Sequence, residues 1–131
     1  MRTTRMALAA ALLAMIGGRA MADEVTVSSG EPTIIMDFGN IDDACRAVGK
    51  PKPSLMKKPS HGKVAFQWVT AELGEEHGSC AGKTSKVMRV VYTSASGYRG
   101  ADAFKVGMSV AMYEDGSGNS FSATDIDVTV E

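Results

Sequence analysis

Aromatic residues make up only 6% of this 131-residue chain, which also has just two Cys, two His, four Pro and one Trp. Each scarcity excludes something. The two Cys, Cys45 and Cys80, form no C-x-x-C, so neither a zinc knuckle nor a dithiol redox centre of that type is encoded. With only His61 and His77 available, any Ser-His-Asp or Cys-His catalytic arrangement must use one of those two positions. No helical period of useful length occurs, and Gly116 and Gly118 precede no helix, which removes the phosphate-cradling loop of nucleotide-binding proteins. The one long uncharged apolar run, Met6 to Ile16, would span about 16 Å as a helix, roughly half the hydrocarbon core of a bilayer. The length allows one small domain and no multidomain enzyme.

That short run follows Arg2 and Arg5 and is followed by Ala20-Met21-Ala22, a small-x-small cleavage pattern. Residues 1–22 therefore read as a secretory signal peptide, removed before Asp23, with no membrane insertion of the mature chain. The remaining residues 23–131 carry 11 Lys and Arg against 15 Asp and Glu, a net charge of −4. A mildly acidic domain lacks the basic face that displaces phosphate counterions, so no nucleic-acid partner is expected. Lys50, Lys52, Lys57 and Lys58 are interleaved with Pro and read as a solvated, extended loop over 49–59. In an exported chain a pair of Cys implies a Cys45–Cys80 disulfide, acting as a staple.

What remains is strand-like. Residues 24–28 and 33–37 are short β-branched runs forming an edge or an opening pair, and Asp42 or Asp43 is placed to cap one helical turn ending at Gly49. From Lys63 the pattern alternates, with Val64, Phe66 and Trp68 directed to the core. Met88, Val90 and Tyr92 share a face, as do Phe104, Val106, Met108, Val110 and Met112. Asp115-Gly116-Ser117-Gly118-Asn119 reads as a hairpin turn, and the last strand points Ile126, Val128 and Val130 inward. The pattern predicts an all-β, antiparallel immunoglobulin-like β-sandwich of six to eight strands over 23–131, with a closed barrel as the alternative.

The segment from Tyr92 to Phe104 fits Y-x4-G-Y-x-G-x-D-x-F, with Tyr92, Gly97, Tyr98, Gly100, Asp102 and Phe104 at the fixed positions. That pattern resembles the bacterial immunoglobulin-like or cadherin-like repeats of exported and surface proteins. Pro59-Ser60-His61-Gly62-Lys63-Val64 is similar to the lead-in of an early strand in those repeats, so the likeness covers most of 59–131. It implies scaffolding: a glycine corner, an Asp accepting hydrogen bonds from turn amides, and Tyr98 tying its hydroxyl to backbone in the manner of a tyrosine corner. Repeats of this kind often bind calcium through clustered Asp and Asn, but no D-x-N-D-N run is present here.

Other chemistry is sparse. His61 sits in a turn beside Ser60, and His77 follows Glu75 and Glu76, making the two His the metal candidates. Met108 and Met112 lie about 13 Å apart along one strand, too far to share an ion. Asp125 and Asp127 read as edge protection on the last strand. The expectation is a non-enzymatic periplasmic or secreted protein without a cofactor, binding a protein or cell-envelope component or serving a structural role there. The alternative is a periplasmic copper or metal carrier using His and Met residues. An envelope hydrolase, or an inhibitor presenting the loop 72–84, is a third reading.

Overall fold

The computed structural model describes residues 23–131, so the leader expected at 1–22 lies outside the described residues. Among these, seven strands run in the order β1 (Asp23–Val27), β2 (Thr33–Phe38), β3 (Lys52–Lys57), β4 (Gly62–Glu72), β5 (Thr84–Ser94), β6 (Gly100–Ala111) and β7 (Asn119–Val130). One short 3-10 segment, Glu75–Cys80, interrupts them before β5. The strands form two sheets, β1-β7-β6-β3 and β2-β5-β4, which do not close on each other. The molecule is a β-sandwich and not a barrel. All neighbours are antiparallel except β1 and β7, which pair in parallel over Asp23–Val27. Grouping the second, fifth and fourth strands against the seventh, sixth and third is the immunoglobulin arrangement, here with the first strand moved onto the last.

Period-2 patterning accounts for the core. Met88, Val90 and Tyr92 of β5 face Phe104, Val106 and Met108 of β6 and Ile126, Val128 and Val130 of β7, all at most 3% exposed. Tyr92 stacks on Phe104 with ring centroids 5.6 Å apart. The β6–β7 hairpin closes where Asp115 Oδ1 accepts the Ser117 N–H, and Gly116 (φ 81°) and Gly118 (φ 65°) take the left-handed conformation that the turn requires.

Several expectations are corrected. The lysine- and proline-rich stretch is not all loop, because 52–57 pairs with β6 as an edge strand, where Pro53 is tolerated. β1 and β2 are both edges but lie in different sheets and do not pair with each other. β1 covers β7 only over Ile126–Val130, so Asp127, paired with Glu24, guards no edge, while Asp125 lies on the stretch of β7 whose outer side has no partner among the described residues. No helical turn forms at 44–48: Cys45 has φ 62°, outside the helical region, and Asp42 Oδ1 instead accepts the N–H groups of Ala44 and Arg46 in a side-chain-closed loop. Met112 lies beyond the end of β6 and is 52% exposed, so it leaves the face shared by Phe104 to Val110.

Candidate functional site

The G-Y-x-G-x-D-x-F residues gather at the end of the sandwich formed by the turns 58–61 and 95–99. Asp102, at the start of β6, is 8% exposed and accepts four hydrogen bonds. Oδ1 takes the N–H of Ser60 and of Ala103 at 2.9 Å each, while Oδ2 takes the N–H of His61 at 3.1 Å and the Tyr92 hydroxyl at 2.7 Å. Since Tyr92 belongs to one sheet and Asp102 to the other, this carboxylate clasps the two layers and the 58–61 turn together. Burial pushes its pKa up, but the Tyr92 hydroxyl and the three amides outweigh that and hold it below the usual carboxylate range. Burial first, and then the hydrogen bond and charge of Asp102, push the Tyr92 phenol well above its ordinary value. Gly62 makes the approach possible, because a Cβ there would lie 2.7 Å from both the Tyr92 ring and the Thr93 carbonyl.

Tyr98 donates its hydroxyl hydrogen to the Ala101 carbonyl and stacks its ring on His61, with centroids 4.0 Å apart and planes 6° from parallel. Gly97 and Gly100 take φ of 82° and 129° on either side of it. These groups join two turns, and Asp102 contacts the backbone of His61 and not its ring.

At the opposite end, Cys45 and Cys80 are disulfide-bonded with Cα atoms 5.5 Å apart, linking loop 39–51 to the 3-10 segment. Leu73 and Ile41 pack around the bridge as a small cluster separate from the main core. His77 Nε2 lies 3.6 Å from Glu76 Oε1 beside a cleft of about 100 Å³. No group of three or more His, Cys, Asp or Glu able to hold a metal occurs among the described residues. His61 and His77 sit at opposite ends, and Met88 and Met108 are core residues while Met56 and Met112 are exposed.

A different feature has the shape of a binding site. β3 and β4 are free edges of the two sheets on the same side of the sandwich, and among the described residues no strand covers the seam between them. The inward side chains of β4, Val64, Phe66 and Trp68, are consequently half-buried and not sealed in the core. A groove of about 480 Å³ opens where Phe66, Trp68 and Met88 form the floor and Lys50, Pro51, Lys52 and Pro53 form the rim. Further along the seam a second hollow of about 280 Å³ lies between Leu55 and Val64, bordered by Lys58 and Lys63. The seam is therefore apolar and aromatic along its bottom and lysine-lined at both ends.

The sequence does carry a signal for it. Arg46, Lys50, Lys52, Lys57, Lys58 and Lys63 all fall between Asp43 and Glu72, a stretch with no Asp or Glu, although the domain as a whole is acidic. Composition averaged over the domain hides this asymmetry. No family model matches the chain, and neither a curated protein nor a solved structure matches it.

Proposed function

We propose that this is an exported, non-catalytic binding protein of the bacterial periplasm or cell surface, which holds an anionic, amphipathic partner in the seam between β3 and β4. The observation carrying this reading is a half-buried Trp68 and Phe66 floor rimmed by Lys50 and Lys52, with Lys58 and Lys63 bordering the next hollow along the same seam. Apolar floors supply binding energy and flanking charges supply orientation and encounter rate. Among the described residues the titratable side chains lining the seam are lysines, which do not make the nucleophile and base pair that acyl or phosphoryl transfer would need. Export is supported by the leader pattern in 1–22 and by the disulfide, a bond that persists in oxidising compartments. Among the described residues no helix is long and apolar enough to cross a membrane.

Titration with the amphipathic anion anilinonaphthalene sulfonate tests the site, because Trp68 is the chain's one Trp and reports the occupancy of its own groove. Saturable binding with energy transfer from Trp68, lost in Lys50→Glu/Lys52→Glu and unchanged in His77→Ala, is expected. Binding that ignores the lysine reversals overturns the assignment.

A further inference from the structure

The four sheet edges are not treated alike. β1 is five residues long and begins with Asp23 and Glu24. β2 has six residues and a bulge between Ile34 and Met36. β3 has six residues, including Lys52, Pro53 and Lys57, and a bulge between Leu55 and Lys57. Short length, charge, proline and bulges are the devices by which natural sheets block further strand pairing. β4 has none of them in its body. It runs 11 residues in unbroken register with β5, and from Val64 to Ala71 it contains no charge and no proline. Among the described residues nothing pairs with its outer edge. At about 3.4 Å per residue that edge is about 37 Å long.

Resting on the seam reading above, we infer that β4 is a strand-addition site, and that the partner is an extended peptide segment with an apolar centre and carboxylates on both flanks. A strand laid along β4 would widen the β2-β5-β4 sheet and carry alternate side chains into the seam, over Phe66 and Trp68. The flanking carboxylates match the lysines, since Lys58 and Lys63 border one hollow and Lys50 and Lys52 the other. The backbone favours a peptide over a single-stranded nucleic acid. A free strand edge presents N–H donors and C=O acceptors in alternation, and a phosphodiester supplies acceptors only. A second copy of this chain is disfavoured because pairing β4 with β4 would bring the two lysine rims together.

The probe is the peptide Glu-Asp-Val-Thr-Val-Thr-Val-Asp-Glu, with two analogues of the same composition N-methylated at alternate amides, one analogue for each edge of the strand. Trp68 fluorescence and amide hydrogen exchange are the readouts, on the oxidised protein. The expected result is binding accompanied by slowed exchange at alternate residues of β4, abolished by N-methylation of one edge and not of the other. Lys50→Glu/Lys52→Glu should weaken it by about tenfold at low salt. If both methylated analogues bind as tightly as the parent, strand addition is overturned while the seam remains a site. If the peptide fails to bind while the anionic dye still occupies the groove, strand addition fails alone, and if neither binds, the seam reading fails with it. Tighter, lysine-dependent binding of oligothymidylate, or a peptide-independent dimer that protects the β4 amides, would also overturn the proposal.

Discussion

One end of the sandwich is held by a buried carboxylate and the other by a covalent bond, and the two solutions differ in reach. At the Asp102 end the hydrogen bonds run from the main core, through Tyr92 on one sheet and Ala103 on the other, out to the turn amides of Ser60 and His61. At the Cys45–Cys80 end the bridge joins two loops around Leu73 and Ile41, a cluster that does not merge with that core. A polar group buried between layers couples them, whereas a bond between loops outside the layers secures the loops. Both ends should therefore contribute to global stability, and the loop end should in addition control local opening of its own loops.

The largest effect should come from Asp102→Ala, which strands the Tyr92 hydroxyl and three amides without an acceptor. A loss of about 3–5 kcal/mol in chemical denaturation is expected, shared by probes in both sheets. Cys45→Ser/Cys80→Ser should cost about 3–4 kcal/mol, from the loop entropy of a 35-residue separation. Its added amide exchange should concentrate in 39–51 and 73–83. Exchange rising equally at both ends would erase the distinction.

The pH dependence sharpens the comparison further. The Asp102 carboxyl is held low, so its contribution is present above the ordinary Asp value of about 3.9 and is lost as the pH falls through and below it. The Tyr92 phenol is held high, so its contribution is intact below about pH 10 and is lost progressively as the pH rises beyond that. Asp42 at the other end is also lowered, chiefly by the backbone N–H of Arg46, but its bonds stay within one loop and join no layers. Unfolding followed from pH 7 down to pH 2 should flatten markedly in Asp102→Asn and barely in Asp42→Asn. Smallest of the four, Tyr98→Phe removes one hydroxyl bond to the Ala101 carbonyl and leaves the stack on His61, for a loss of about 1 kcal/mol by thermal denaturation.

Much of this was legible beforehand, for identifiable reasons. Alternation at 64–68, 88–92, 104–110 and 126–130 reported sidedness directly, because a strand turns each successive side chain to the other face. The two Cys left one possible intramolecular pairing. β3 was illegible because its edge position makes Pro53 and its lysines acceptable, and local propensity cannot know which strands become edges. The same ignorance hid the open seam beside Trp68, which does face the core, and made Asp127 look like the guard of an edge that β1 in fact covers. Both are questions of strand order, which depends on contacts between distant parts of the chain. The helical turn at 44–48 failed because Asp42 offers its carboxylate to the backbone and so competes with the helix it was expected to cap.

Gly62 sits where the leading residue of β4 passes the ring of Tyr92. The missing side chain there works as a spacer of fixed width: any replacement must lift the margin of β4 or swing the phenol off its carboxylate. Gly62→Ala would thus connect two properties that otherwise look unrelated, the cohesion of the two layers and the straightness of the β4 margin.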